Sequence, residues 1–161
     1  MAVGPEEFRL AMRNWATGVS VVTTQYQDVR HGMTVNSFTS ISLTPPLVMV
    51  SLERKTRTHS LVLKSGIFGI TILSEYQQSV SDCFAGRCGD HENRFADLET
   101  HTLVTSAPFI DGGLVYLDCR VVRTYDASTH TLIVGEVVAS QLGKDDQPLI
   151  YLNRTYRRLQ V

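Results

Sequence analysis

A short segment in the first third of the chain is dense in uncharged hydrogen-bonding side chains. Thr34, Asn36, Ser37, Ser40 and Ser42 lie within nine residues. Hydroxyl and amide groups of this kind can bond to their own backbone and close a loop. They can equally hold the polar edge of a ligand without adding charge, because each group can both donate and accept hydrogen bonds. From these residues alone, closure of a loop is the favoured interpretation.

A cationic segment follows the next strand-like run. Residues 51–57 read Ser-Leu-Glu-Arg-Lys-Thr-Arg, so Arg54, Lys55 and Arg57 lie beside the hydroxyl of Thr56, directly before a predicted helix. Backbone N–H groups at a helix N-terminus and cationic side chains both favour anions. The pattern fits a phosphate site and also fits a solvated charged turn, which the pattern alone favours.

Other candidates for chemistry are more isolated. His130 opens a predicted strand, where an exposed polar residue is the ordinary interpretation. The motifs Phe-Ala-Gly at 84–86 and Arg-Phe at 94–95 bracket a polar excursion. The sequence has no G-x-G-x-x-G turn, Walker loop, G-x-S-x-G elbow, paired C-x-x-C or H-E-x-x-H. We therefore predict no metal site and no catalytic residue.

The elements that must position these residues are mainly strands. A run rich in β-branched residues at 19–24 and a continuous apolar run at 47–52 predict strands, and period-two alternation from Val115 to Val122 predicts a strand with one buried face. Gly135 inside the last long strand indicates a bulge or a close backbone approach. The predicted strands are 19–24, 32–35, 47–52, 68–72, 115–122 and 131–138. This pattern predicts a mainly β domain, an antiparallel barrel with helical decoration.

Three helices are predicted from helical spacing of apolar residues. The first covers 5–15, and its stripe of Phe8, Met12 and Trp15 is expected to pack in the core or at a dimer interface. The second covers 58–64. The third follows Ser74 and Gln77, which have the spacing of a capping box. Its predicted face consists of Tyr76, Val80 and Phe84.

Composition limits the class of protein. The chain has 161 residues, which suits one domain, and a formal net charge of −1. Its scattered cations do not form the basic stripe that nucleic acid requires, and no apolar run reaches the length of a membrane span. The start of the chain lacks a secretory pattern. Three cysteines without paired spacing are typical of a reducing cytoplasm.

Taken in order, these segments resemble the flavin reductase-like, FMN-binding split-barrel family, the small reductase components of two-component flavin monooxygenases. The likeness begins with Ala-Thr-Gly-Val at 16–19, runs through 31–48 and the Phe-Ala-Gly and Arg-Phe motifs, and ends with 130–137 and Pro-Leu-Ile-Tyr at 148–151. It covers nearly the whole chain. The resemblance implies a split β-barrel of Greek-key type over residues 1–161, assembled as a homodimer.

The resemblance also implies where ligands bind. The ring and ribityl chain of FMN or FAD are expected along Thr34, Val35, Asn36, Ser37 and Phe38. The flavin phosphate is expected along Ser51, Leu52, Arg54, Lys55, Thr56 and Arg57. The bracketing motifs are expected to approach the flavin through Phe84, Ala85, Gly86, Arg94 and Phe95. The nicotinamide is expected near His130, Tyr151 and Arg154. Asn93 stands where relatives often carry Asp, which leaves the contacts of this loop open.

The activity implied by the resemblance is hydride transfer from NADH or NADPH to FMN or FAD. The cofactors carry this chemistry, so the protein contributes binding and orientation. Reduced flavin is then expected to diffuse to a partner monooxygenase, with no nucleic acid or membrane partner. The alternative is a non-catalytic flavin carrier or electron-transfer protein of the same fold.

Overall fold

The computed structural model describes residues 2–88 and 93–159. The described residues form three short helices: α1 (Pro5–Met12), α2 (Arg57–Ser65) and α3 (Gln78–Phe84). The strands are β1 (Thr17–Gly18), β2 (Ser20–Tyr26), β3 (Val29–Val35), β4 (Thr39–Leu43), β5 (Pro46–Glu53), β6 (Ile67–Ile72), β7 (Thr100–His101), β8 (Phe109–Ile110), β9 (Val115–Ala127), β10 (His130–Leu142), β11 (Ile150–Leu152) and β12 (Thr155–Arg157). None of the described helices is long and apolar enough to cross a membrane.

The main sheet has seven strands in the order β3-β2-β6-β9-β10-β5-β4. Its neighbouring strands are antiparallel. The two edge strands, β3 and β4, are consecutive in the chain and are separated only by residues 36–38. A link of that length spans at most roughly 14 Å. The sheet must therefore curve until its edges approach each other, which gives a barrel split between β3 and β4.

The interior of this curved sheet is the main core. Leu52, Phe68, Ile70 and Ile133 come from three different strands, β5, β6 and β10, and are fully buried. A second cluster lies under α3, where Phe84 and Phe95 pack edge to face with ring centroids 5.1 Å apart. The hydrophobic runs predicted as strands therefore supply the core, as expected for residues buried between covered faces.

Two of the predicted helical faces are wrong in detail. The first helix ends at Met12 instead of Trp15, and Phe8, Met12 and Trp15 are exposed in the single chain, so the stripe does not enter the core. Packing of this stripe at a dimer interface stays a prediction. The third helix begins at Gln78, so Tyr76 precedes it and is exposed rather than sharing a face with Val80. Helical spacing identifies a face, but tertiary contacts decide whether that face is covered.

The predicted strands did not include β4 or the short strands β1, β7, β8, β11 and β12, and one buried face was also missed. Residues 39–43, interpreted as a hydroxyl-rich turn, form edge strand β4 against β5. Both faces of β9 are covered near its N-terminal end, since Tyr116 and Asp118 are buried along with Cys119. Asp118 accepts hydrogen bonds from the N–H groups of Val104 and Thr105, and the loop that they belong to covers this side of the sheet.

Gly135 lies at a register shift between β9 and β10, which confirms the predicted bulge. A Cβ at this position would lie 2.4 Å from Cζ of the buried Phe68 ring. We expect Gly135→Ala to reduce the free energy of unfolding by about 1–3 kcal/mol, because the core must shift to admit the methyl group. Gly18→Ala is the matched control, since nothing lies within 4 Å of its Cβ. Equal urea midpoints for the two variants would contradict the expectation.

Candidate functional site

Three cavities meet at Asn36. The first has a volume of about 160 Å³ and is lined by Val19, Thr34, Val35, Asn36, Ser81, Ala85, Arg87, Tyr151 and Tyr156. The second, of about 500 Å³, is lined by Asn36, Ser37 and Phe38 together with residues 15–18, Ser20, Thr39 and Ile72. The third, of about 470 Å³, adds Tyr151 and Arg154 to Asn36. The predicted ring-binding segment thus lies at the junction of the cavities, where the barrel is split.

Hydrogen bonds hold this segment in place. The hydroxyl of Thr34 donates to the carbonyl of Ser81, at 2.6 Å. The hydroxyl of Ser37 donates to the carbonyl of Ser51 and accepts from its N–H, at 2.8 and 3.2 Å. Thr34 and Ser37 therefore serve the loop itself, as the residue types alone suggested. Asn36 remains exposed between them and offers an uncharged donor and acceptor to the cavities.

A polar network that sequence reasoning missed forms the opposite wall of the first cavity. The hydroxyls of Ser81 and Tyr156 are 2.8 Å apart, and the Tyr156 hydroxyl donates to Asp82 at 3.1 Å. Arg87 donates to the same carboxylate at 2.8 Å. Burial raises the pKa of Tyr156, so its phenol stays protonated and can donate. No motif links these residues, because α3, the turn after it and β12 meet only in the fold.

The start of α2 concentrates positive charge. Thr56 is the N-cap and accepts from the N–H of His59, and Arg57 is the first helical residue, with no acidic residue in the first turn. Arg54 forms an ion pair with Asp126, which lowers its availability for an anion, while Lys55 is exposed. Arg57 and the N–H groups of the helix N-terminus are therefore the hydrogen-bond donors of this segment that are best placed to bind an anion.

His31 lies behind this cationic segment and links it to the loop of Arg94. Its Nδ1 is 2.8 Å from the hydroxyl of Thr58, and burial, Arg94 and then Arg57 lower its pKa to about 4. Arg94 itself donates to the carbonyls of Gly32 and Phe84, at 3.0 and 2.9 Å. The two neighbouring arginines favour a neutral imidazole at His31, and they would also favour an anion bound beside them.

The free energy of unfolding should depend on the protonation state of the His31 imidazole. The folded pKa of about 4 lies below the unfolded value of 6.5. Between these values the unfolded state binds more protons, so the free energy of unfolding should fall as pH falls from 6.5 towards 4. We expect His31→Gln to show a smaller loss than wild type between pH 7 and 5 in urea titrations. Identical pH dependence of wild type and variant would contradict this role.

Four of the predicted ligand residues have side chains in the core. Val35 is buried but also lines the first cavity, while Leu52, Phe84 and Phe95 are buried, so mainly their backbone is available to a ligand. Apolar side chains in continuous runs are drawn inside by burial, which the resemblance alone did not resolve. Gly86 adopts a φ of 80°, which turns the chain after α3 so that Ala85 and Arg87 reach the first cavity. The Asp90–His91 part of this loop lies outside the described residues.

The residues predicted for the nicotinamide do not converge within one chain. His130 pairs across the sheet with Glu53, and its Nδ1 is 2.9 Å from the hydroxyl of Thr129. It therefore lies near the cationic start of α2. Tyr151 and Arg154 belong to the first and third cavities, and Tyr151 pairs with Thr17. In a single chain, His130 and Tyr151 thus serve different parts of the site.

Comparison with known proteins adds the family. Residues 12–160 match the family model described as flavin reductase like domain. The chain is 39% identical over 163 residues to an NADH-dependent flavin reductase from Rhodococcus sp, covering 99% of this chain and 89% of that protein. It is 39% identical over 145 residues to the reductase component of a 4-nitrophenol 4-monooxygenase/4-nitrocatechol 2-monooxygenase from Rhodococcus opacus, covering 90% and 76%.

Solved structures agree with these sequence matches. The flavin reductase PheA2 in its native state superposes with a TM-score of 0.91 at 34% identity, covering 99% of this chain and 100% of that one. The predominantly β fold and the family predicted from the ordered motifs are thereby confirmed. Since the match spans nearly all of the sequence and the whole described fold, this chain belongs to the flavin reductase-like domain family.

Proposed function

We propose that this protein is an NADH-dependent flavin reductase that supplies reduced flavin to a partner monooxygenase or halogenase component. The observation that carries the proposal is the junction of three cavities at Asn36 in a chain of the flavin reductase-like family. Relatives are named as NADH-dependent flavin reductases and as reductase components of monooxygenases. A tryptophan halogenase reductase component is also among the structures of matching fold.

The residues at the site fit a flavin. A flavin bound here would supply the hydride-accepting chemistry, with a reduced nicotinamide as the hydride donor. Asn36 and the backbone of Thr34 to Phe38 provide uncharged groups for the polar ring edge. Arg57, Lys55 and the N-terminus of α2 provide an anion site for the phosphate. These groups bind and orient, and proximity can contribute roughly 7–11 kcal/mol to such a reaction.

The proposal includes a homodimer and a cytoplasmic location. Ile41, Leu43 and Leu142 are large apolar side chains that stay exposed in one chain, on edge strand β4 and at the end of β10. A second copy covering them would remove apolar surface from water. Analytical ultracentrifugation should then give twice the mass of the chain.

The proposed cytoplasmic location is supported by the cysteines, which are free and therefore suit a reducing compartment.

Turnover with each pairing of NADH or NADPH with FMN or FAD tests the activity. We expect loss of NADH absorbance that depends on added flavin, and anaerobic bleaching of the flavin band. The second candidate, a flavin carrier, predicts tight flavin binding without NADH oxidation. Absence of flavin-dependent oxidation with all four pairs would overturn the reductase proposal.

His130→Ala tests the part assigned to the nicotinamide. Loss of one neutral hydrogen bond is expected to raise the KM for NADH by roughly 2- to 10-fold, with no change in the KM for FMN. Gln141→Ala, an exposed change on the same strand, is the control. An unchanged KM for NADH in His130→Ala would remove His130 from the site.

A further inference from the structure

Cys83 and Cys88 lie on the two sides of the chain reversal that follows α3. Gly86 adopts a φ of 80°, and its N–H donates to the carbonyl of Cys83 at 3.0 Å. The N–H of Arg87 donates to the carbonyl of Asp82 at 3.0 Å, and the guanidinium of Arg87 lies 2.8 Å from the Asp82 carboxylate. Because residues 82 and 87 are joined twice, the residues that follow each of them, the two cysteines, are brought side by side.

The two thiols are free and interact with each other. Cys83 is half-buried in the last turn of α3, while Cys88 is exposed. Burial and then a side-chain hydrogen bond with Cys88 raise the pKa of the Cys83 thiol. Cys83 therefore stays protonated at neutral pH, whereas Cys88 is the thiol that a dissolved oxidant meets first.

The third cysteine has a different environment. Cys119 is fully buried in the core, where burial raises the pKa of its thiol. A structural thiol of this kind is inert towards oxidants. Oxidation is therefore confined to the pair beside α3.

A bond between the paired thiols would close a ring of only a few residues. Disulfides that close short loops stabilise a folded chain least, because they remove little entropy from the unfolded chain. Exposed disulfides are reduced more readily than structural ones, and disulfides of cytosolic proteins are typically transient. The pair thus suits reversible oxidation better than a permanent bond.

The segment between the two cysteines is part of the proposed flavin site. Ala85 and Arg87 line the first cavity. Arg87 also forms a side-chain hydrogen bond with Tyr151, which lines the same cavity. A covalent bond draws two sulfur atoms closer together than any noncovalent contact does. Residues 84–87 must therefore shift when the bond forms, and the contacts of Arg87 in the cavity change with them.

Hydrogen peroxide is the oxidant that the proposed function supplies, because reduced flavin that meets O₂ yields oxidised flavin and H₂O₂. The Cys88 thiolate attacks one peroxide oxygen, the O–O bond breaks, and a sulfenic acid and hydroxide form. The Cys83 thiol attacks the sulfenic sulfur, the S–O bond breaks, and a disulfide and water form. In sum, two thiols lose two electrons and two protons, and one peroxide becomes two waters.

We propose that Cys83 and Cys88 form a reversible disulfide when peroxide accumulates, and that this disulfide lowers the affinity of the first cavity for flavin. The inference rests on the proposed function for its oxidant and its ligand. The pair slows the reductase when reduced flavin reacts with O₂ before the partner component consumes it.

Tryptic peptides give a direct readout, because Arg87 lies between the two cysteines. Cleavage leaves Cys83 in peptide 65–87 and Cys88 in peptide 88–94. We treat the full chain with H₂O₂, block the remaining thiols and digest without reduction. Mass spectrometry should find the two peptides linked, and treatment with dithiothreitol should separate them.

Two variants test the order of the steps. Cys88→Ser should form no link, and Cys83→Ser should stop at the sulfenic acid of Cys88, which dimedone traps. The thiol of Cys119 should remain free throughout and serves as the internal reference. Unlinked peptides in wild type, or a link between two copies of peptide 88–94, would overturn the pair.

Quenching of flavin fluorescence measures the effect on the cavity without any nicotinamide. We expect oxidation to weaken FMN binding by wild type about 3- to 10-fold, the effect of one lost hydrogen bond, and dithiothreitol to restore it. Cys88→Ser should bind FMN as reduced wild type does, both before and after peroxide. Equal FMN affinity of the reduced and the linked wild type would overturn the regulatory role.

Both readouts are independent of NADH oxidation. If the link and the loss of FMN affinity are found in a chain that does not oxidise NADH, the cysteine pair is supported and only the reductase proposal is overturned. FMN-dependent NADH oxidation with unlinked peptides would support the reductase and overturn the pair.

Discussion

Arg57→Gln is expected to weaken FMN binding roughly 10- to 100-fold and to leave riboflavin binding unchanged. Arg57 is the first residue of α2, beside the N-cap Thr56, where exposed N–H groups and its guanidinium act on the same anion. A hydrogen bond to a charged group contributes about 1.5–3 kcal/mol, which sets the size of the effect. Riboflavin has the same ring and ribityl chain but no phosphate, so it reports on the ring site alone.

The measurement is quenching of flavin fluorescence during titration with protein. Lys64→Gln is the matched control, because Lys64 lies in the last turn of the same helix and carries the same charge. It should leave the affinity for FMN within about twofold of wild type, as for an exposed charge remote from the ligand. Equal weakening of FMN and riboflavin by Arg57→Gln would place the phosphate elsewhere.

Asp118→Ala is expected to reduce the free energy of unfolding by about 3–5 kcal/mol. Its carboxylate is fully buried and accepts from the N–H groups of Val104 and Thr105, at 2.8 and 2.7 Å, and from the Thr105 hydroxyl at 2.6 Å. Removal leaves the two buried donors of Thr105 and the part-buried N–H of Val104 without an acceptor, and each buried group of this kind costs about 1–3 kcal/mol. A loss of this size is typical of a substitution that breaks a buried hydrogen-bond network.

Urea unfolding followed by circular dichroism measures the loss. Asp118→Asn keeps one acceptor oxygen and should fall between wild type and the alanine variant. Asp126→Ala removes an exposed carboxylate that pairs with Arg54 on the surface, so its effect should stay below about 1 kcal/mol. A loss below 1 kcal/mol in Asp118→Ala would show that the loop at 104–105 does not depend on this carboxylate.

Local patterns in the sequence predicted much of the fold because they follow from short-range physics. A β-branched run identified the strand that became β2, a continuous apolar run identified β5, and the bulge at Gly135 followed from one glycine inside a predicted strand. The second helix, predicted over 58–64, is α2 over Arg57–Ser65, one residue longer at each end. Each of these features depends on neighbours along the chain.

Features that depend on distant neighbours were not predictable in the same way. Strand β4 is held by its pairing with β5, not by its own composition. Asp118 alternates with apolar residues as a solvent-facing residue would, yet it is buried because a loop residue, Thr105, folds over it. A periodic pattern shows which residues share a face but not what covers that face.

The same distinction between local and distant neighbours applies to the candidate site. The sequence by itself determined the chemistry available: uncharged groups around Asn36 and cations before α2. Only the tertiary structure decided which of these groups meet, because closing the barrel across residues 36–38 places Asn36 against β11 and the α3 turn. It also assigned Leu52 and Phe84 to the core, since burying apolar surface outweighs any contact with a ligand.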